Sequence, residues 1–173
     1  MNKTYCTHMQ SPVGRLLLAG TDAGLTCIGF PEGKGARQPD PAWKADASPF
    51  REATRQLEAY FAGDLRQFDL RLLPEGTPFQ CAVWTALRDI PYATTVSYAE
   101  IARRIGKPQA LRAVGAANGR NPLPIVIPCH RVIGSDGRLT GYGGGLHIKE
   151  ALLELECRHK WDMPLFRSTH RKC

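Results

Sequence analysis

The segment IVIPCHRVIG, Ile125 to Gly134, narrows the folds open to this chain more than any other stretch. Ile125, Val126, Ile127, Val132 and Ile133 are apolar and β-branched, which suits a buried extended strand. Pro128 lacks the amide hydrogen that a central strand must donate, so a strand cannot run straight through it. In a strand, Cys129 and His130 would also point to opposite faces. A turn or short helical segment at Pro128 lets the two side chains work together. The fold must therefore hold a Cys-His-Arg turn between apolar shoulders.

A cysteine in that place has two readings. Most free cysteines are buried and inert. A nucleophilic one acts as thiolate, and a neighbouring His⁺, Arg or helix N-terminus lowers the thiol from its ordinary pKa of about 8.5. His130 and Arg131 adjoin Cys129, and Glu150, Glu154 and Glu156 near the C-terminus are candidates to accept a proton behind the imidazole. A tyrosine-phosphatase loop is excluded, because Ser135 stands where that loop needs Arg. A papain-like order, with an early Cys and a distant His, is absent.

Elsewhere the chain divides in two. GRLLLAG and GLTCIGF flank the turn sequence TDAG and predict a β-hairpin. Residues 31–44 are rich in Gly and Pro and read as a loop. The next helix is expected to take Ser48 as N-cap with Pro49 in its first turn, to repeat Leu57, Tyr60 and Phe61 at helical spacing, and to stop at Gly63. QFDLRL alternates apolar and polar residues and reads as a further strand. These elements make a small α+β unit over residues 1–73, followed by the linker LPEGTP.

Helices dominate the second unit, residues 77–160. Thr77 and Pro78 begin one, with Phe79, Val83 and Leu87 inward and Pro91 beyond its end. SYAEIARRIG opens with a capping box of Ser97 and Glu100 and stops at Gly106. PQALRAVGAANG starts at Pro108 and closes at Gly119, so Gly106 and Lys107 alone separate the pair, a helix-turn-helix spacing. GLHIKEALLELE is a last amphipathic helix, with Ile148, Leu152 and Leu155 inward. The basic tail, residues 161–173, is expected to be mobile.

The helix PQALRAVGAANG is built from small residues, Ala113, Gly115, Ala116 and Ala117, with Arg112 its one long side chain. Small residues suit close packing on a neighbouring element; they equally suit contact with a nucleic-acid backbone, with Arg112 reaching inward. The formal net charge of +7 and the pI of about 9.3 favour a polyanionic partner. At 173 residues, 43% of them hydrophobic, the chain can bury a core without metal or disulfide staples. The six cysteines are scattered with no C-x-x-C, and read as reduced thiols of a cytoplasmic protein. No apolar run approaches the ~20 residues of a membrane span.

PCHRVIG, preceded by LRAVGAANGRNPLPIVI and followed by GYGGGLHIKEALLELE, strongly resembles the O6-alkylguanine-DNA alkyltransferases. The resemblance is close over Thr77–Glu156 and looser over the N-terminal unit, LEAYFAGDL included; it is greatest to the constitutive single-protein bacterial form. It implies an α+β fold, with a ribonuclease H-like N-terminal domain and a winged-helix-like C-terminal domain that carries the reactive cysteine. It implies DNA repair: a flipped O6-alkylguanine, and less readily O4-alkylthymine, gives its alkyl group irreversibly to Cys129, once per molecule.

The same resemblance assigns roles by position. His130 relays the Cys129 proton, through water, toward Glu156. Arg112 fills the space of the flipped nucleotide, Tyr98 presses on the 3′ phosphate, and Lys107 and Ala113 join the surface that enters the minor groove. Asn121 ties the helix-turn-helix to the active-site loop. Tyr142 lines the alkyl pocket, beside Gly143, where some relatives carry a hydroxyl residue. The implied partner is double-stranded DNA, met by a monomer without a cofactor or a membrane.

Some relatives hold a zinc ion in the N-terminal domain. Cys6, His8 and Cys27 do not reproduce that ligand set, and no such metal is expected. Cys157, His159, His170 and Cys173 are metal-capable in type but fall together in the C-terminal tail by chance composition. A thiol-based regulator is the alternative from another class; it would bind one operator sequence and dimerise. A lesion binder without chemistry would lack the cysteine.

Overall fold

A computed structural model describes residues 3–160. The N-terminal half is a four-stranded sheet carrying one helix. β1 (Tyr5–Met9), β2 (Leu16–Thr21), β3 (Gly24–Gly29) and β4 (Lys44–Ala45) lie in the order β3-β2-β1-β4. β2 is antiparallel to both neighbours, and Thr21 pairs with Gly24 across the TDAG turn. β2 does not alternate apolar with polar residues because both of its faces are covered. Leu16 and Leu18 enter the main core, while Leu17 and Ala19 meet Cys6, Cys27 and Trp43 on the other side. β1 was not foreseen in the sequence.

Two N-terminal expectations fail for local reasons. Ser48 is not an N-cap: its amide and hydroxyl both bind Asp46, a single 3-10 turn spans Ser48–Phe50, and α1 begins at Arg51 (Arg51–Ala62). Gly63 does end α1, at a left-handed φ of 84° that a side chain would resist. QFDLRL forms no strand. Its backbone at Asp69 is taken on both sides by the Gln56 amide of α1, at 2.8 Å each, leaving one bridge between Leu72 and Leu25.

The C-terminal half contains α2 (Pro78–Arg88), α3 (Tyr98–Arg104), α4 (Leu111–Gly119) and α5 (Leu146–His159). Thr77 and Gln80 form a reciprocal capping box on α2. The box expected on α3 is half made. Ser97 accepts from the Glu100 amide at 3.2 Å, but the Glu100 carboxylate turns to Arg103 and Arg104 instead. α4 starts three residues later than Pro108, because residues 107–110 close a turn of their own, Ala110 N donating to Lys107 O at 2.9 Å. Residues 105–110 therefore separate the helix pair.

β5 (Val96–Ser97) pairs in parallel with β6 (Val132–Ile133), which fixes the start of α3 against the end of the Cys-His-Arg turn. Trp84 of α2 donates to Ala117 O at 2.9 Å and seats α4. Leu16 and Ile28 of the sheet, Tyr60 of α1, Trp84, Ile127 and Leu152 belong to one continuous core, so the two halves are fused rather than tethered. Among the described residues no helix is long and apolar enough to cross a membrane. Cys6, Cys27, Cys81 and Cys129 are free thiols. The tail, residues 161–173, lies outside the described residues.

Candidate active site

The apolar shoulders do what their composition requires. Ile125, Ile127 and Val132 are fully buried, and Ile127 N bonds Leu123 O at 2.8 Å. Ile125 holds φ at 76°, a left-handed conformation that a β-branched residue keeps only where its surroundings over-determine it. Asn121 supplies part of that constraint: its Nδ2 donates to Ile127 O at 2.8 Å while its Oδ1 accepts from Leu123 N at 3.0 Å. After Pro128 the backbone makes one 3-10 turn, Cys129–Arg131, all three side chains buried. Strand geometry is thus broken at the proline, and Cys129 and His130 no longer face opposite ways.

Behind the turn lies a buried hub at Glu156 of α5. Its carboxylate accepts from His130 Nε2 at 2.8 Å, from Tyr60 Oη at 2.8 Å, from Ala93 N at 3.0 Å, and from Arg131 through Nε and Nη2. Arg131 Nη1 donates to Ile90 O at 2.6 Å. Burial works to raise the Glu156 carboxyl, but hydrogen bonds and charge from His130 and Arg131 outweigh it and hold the group at about 2. Burial pushes His130 below its ordinary value against the pull of Glu156. The stable state is therefore an ionised carboxylate, a neutral imidazole, and Arg131 as the balancing charge.

That assignment fixes the tautomer. An ionised carboxylate only accepts, so Nε2 carries the hydrogen and Nδ1 offers its lone pair. Nδ1 is buried and has no hydrogen-bond partner among the described residues. Glu150 and Glu154, the other two carboxylates considered, are exposed on the far side of α5.

Cys129 is 4% exposed. Burial pushes its thiol up; the Asn121 amide, the Lys149 charge and the nearby Tyr142 hydroxyl pull it down without cancelling that effect. This corrects the expectation that His130 and Arg131 lower it. Arg131 is turned away to Glu156, and His130 is uncharged. At rest Cys129 is a neutral, buried thiol, and it could act as a nucleophile only by losing its proton.

Lys149, fully buried, donates to Val132 O at 2.6 Å and to Thr140 O at 2.8 Å, so it staples the end of the turn to the glycine-rich loop 141–145. Burial lowers its amine to about 8. Sequence reasoning passed over Lys149 and Tyr60. For Lys149 a signal existed, since it lies on the same helical face as Leu152 and Glu156. Tyr60 reaches Glu156 across 96 residues of chain, and no local pattern announces that.

The opposite side of the turn opens outward. A cavity of about 580 Å³ is lined by Tyr98, Arg112, Gly115, Thr140 and Tyr142. Thr140 Oγ1 donates to Tyr98 Oη at 3.2 Å. Arg112 and Leu111 both line it and are exposed, Leu111 at 46% being a second sizeable side chain that the reading of α4 overlooked; Ala113 and Lys107 are exposed but do not line it. A smaller cavity of about 240 Å³ adjoins it and reaches Cys129 between the end of α4 and loop 31–37. That loop closes on the glycine-rich loop: Gly35 N donates to Gly143 O at 2.7 Å, and a Cβ on Gly35 would sit 2.9 Å from Gly143 Cα. A Cβ on Gly143 itself would meet Gly35 Cα at an ordinary 3.4 Å, so its bulk would face this loop.

Among the described residues no three His, Cys, Asp or Glu side chains cluster in a way that could hold a metal. Of the C-terminal set, His170 and Cys173 lie outside the described residues.

The chain matches two family profiles. Residues 4–74 match the ribonuclease-like domain of 6-O-methylguanine DNA methyltransferase, and residues 78–158 its DNA binding domain. It is 55% identical over 152 residues to the methylated-DNA–protein-cysteine methyltransferase of Methanosarcina acetivorans, covering 88% of this chain and 97% of that one. It is 52% identical to the protein of that name from Mycobacterium tuberculosis strain H37Rv, covering 91% and 96%. The crystal structure of M. tuberculosis OGT in complex with DNA superposes with a TM-score of 0.84 at 50% identity, over 90% of this chain and 94% of that one.

Proposed function

Since the chain belongs to the methylated-DNA–protein-cysteine methyltransferase family, we propose that Cys129 is the cysteine onto which it draws the alkyl group. The protein binds DNA and repairs it by direct alkyl transfer to itself. The observation that carries the assignment to Cys129 is the join between one buried thiol and one relay. His130 Nδ1 is free to take a proton because Nε2 is committed to Glu156, and the cavity that reaches Cys129 adjoins the one lined by Arg112.

In this reading an O6-alkylguanine leaves the duplex and enters the cavity between Tyr98 and Tyr142. The Cys129 proton passes to His130 Nδ1 through a bridging water, and Glu156 stabilises the imidazolium that forms. Sγ then attacks the alkyl carbon in line. The S–C bond forms as the C–O6 bond breaks, and the released proton restores neutral guanine. Among the described residues none is placed to hydrolyse the resulting thioether, so each molecule acts once.

Tyr98, Lys107 and Ala113 form the docking face, Arg112 occupies the gap left by the flipped base, and Asn121 holds the turn. The protein works on double-stranded DNA as a cytoplasmic monomer. Incubation with O6-methylguanine duplex, followed by intact-mass and peptide analysis, should show one added methylene on Cys129 and activity that stops at one equivalent. Turnover on excess duplex, or a label on another residue, would overturn the assignment.

A further inference from the structure

Among the described residues, Tyr60 is the one donor to Glu156 from the N-terminal half, and it takes no part in moving the proton. Its ring is fully buried on α1 and packs against Phe61, Phe68 and Tyr92. Its Oη donates to Glu156 Oε1 at 2.8 Å, while His130 Nε2 lies farther off at 3.5 Å. Burial and the charge of Glu156 hold the phenol well above its ordinary value, so it is a neutral donor at every working pH.

Glu156 Oε1 has three donors at 2.8 Å each: His130 Nε2, Tyr60 Oη and Arg131 Nη2. An oxygen has two lone pairs, so each donor weakens the hold of the others. That competition bears on the base. A carboxylate beside an imidazole favours the imidazolium, whose Nδ1 carries a hydrogen and can take no proton from Cys129. Arg131 balances the carboxylate charge, and Tyr60 lowers the pull on His130 further without adding a charge.

Three other groups face the hub. Lys149 of α5 acts on His130 by its charge, and Tyr92, between α2 and α3, and Tyr142, in the glycine-rich loop, lie in the field of Glu156. None of the three bonds the carboxylate: Lys149 is bound to two carbonyls, and both phenol oxygens are without a hydrogen-bond partner among the described residues. Resting on the assignment of Cys129 as acceptor and His130 as its base, we infer that Tyr60 is a positioning residue for the transfer: by sharing Glu156 Oε1 it keeps His130 a weak enough base to stay unprotonated until Cys129 reacts.

Titration of the His130 ring, followed by NMR in the unreacted protein, reads this directly. Tyr60→Phe keeps the ring and its packing and removes only the donor. The His130 midpoint should rise by about half a pH unit, and the acid limb of the single-turnover rate on O6-methylguanine duplex should rise with it, slowing transfer about threefold on that limb and little at about pH 8. A ring-fluorinated tyrosine at position 60, a more acidic phenol of nearly the same size, should move both the other way. Tyr92→Phe removes a hydroxyl from the same aromatic cluster and should move neither. A midpoint that stays or falls in Tyr60→Phe overturns the proposal; so does a rate lowered by one factor at every pH, or an equal shift in Tyr92→Phe. If Tyr60→Phe does not fold, the fluorinated protein decides, and an unmoved midpoint there overturns the proposal. The wild-type adduct separates the two levels: no methyl on Cys129 sinks the parent assignment and this one with it, whereas normal methyl transfer with an unmoved midpoint sinks only this one.

Discussion

The Cys129 turn and α4 lie side by side and are built on opposite plans. Around the turn, backbone and side chains alike are tied down: Asn121 holds Ile127, Lys149 holds Val132, and five donors converge on Glu156. The outward face of α4 presents Arg112, Ala113 and Ala116 to solvent, and among the described residues no hydrogen bond or ion pair restrains the Arg112 side chain. One region is organised before any ligand arrives; the other is left sparse so that a ligand can complete it. The lesson is that reactivity and recognition here make opposite demands on burial, and one short connection, residues 119–124, separates them.

Glu156→Gln should produce the largest effect, because it strikes the organised region at its centre. Arg131 would remain buried without a counter-charge, at a cost of about 3–5 kcal/mol. Alkyl transfer should slow by about 100-fold or more as His130 loses its fixed tautomer and its stabilised imidazolium. Denaturant unfolding and single-turnover kinetics read the two consequences. If both stay at wild-type values, the hub is ornamental and the contrast between the regions collapses.

Acid should reach the same hub. Glu156 sits at about 2 in the folded protein against an ordinary 4.5. A lowered carboxyl adds stability that is fully present above the unfolded value and is lost as pH falls through about 2; the difference is worth up to about 3 kcal/mol. His130, also lowered, begins to cost stability below its ordinary 6.5, where the unfolded chain protonates and the buried ring does not. Unfolding followed from pH 7 to 2 should show this decline in the wild type and in Arg112→Ala, but with its lower part missing in Glu156→Gln.

Arg112→Ala tests the sparse region. Repair of duplex should slow by about 10–100-fold, since extruding a base costs a few kcal/mol and the filler of the gap is gone. Reaction with free O6-benzylguanine should be unchanged, and stability should move by less than about 0.5 kcal/mol. Equal loss on both substrates would make Arg112 structural and erase the distinction. Smallest are the seam variants. Gly35→Ala forces backbone apart at the 2.9 Å contact and should slow all adducts a few-fold, about 1 kcal/mol. Gly143→Ser, which meets only ordinary contact, should do less, and rates on methyl, ethyl and butyl adducts compare the two.

What the sequence discloses follows the range of the forces involved. The hairpin, the Thr77–Pro78 start of α2 and the stop at Gly63 are written within a few residues of themselves and could be read there. QFDLRL has the alternation of a strand, yet Gln56 claims its backbone from outside. Pro108 looks like a helix start, yet a turn closed by Lys107 intervenes. In the site, PCHR displays its own chemistry, while the choice among three glutamates needed either a family resemblance or the facing of α5. Tyr60 and the 31–37 loop act only through contacts made after folding, and the sheet and helices had to be in place before their parts were visible; Lys149 was legible from its place on the Leu152–Glu156 face of α5.

Glu156 also bears on whether the molecule can be taken apart. One of its donors, Tyr60, comes from the N-terminal half, and loop 31–37 of that half walls the cavity next to Cys129. A gene fragment covering residues 78–158 would encode Cys129, His130 and Glu156, yet would leave the carboxylate short of a donor and the cavity short of a side. The two halves are thus not interchangeable parts. Grafting the reactive half onto a foreign scaffold, or exchanging N-terminal halves between relatives, succeeds only where the new neighbour brings its own phenol and its own loop to the same spots, which makes this protein a single heritable unit despite its two-part look.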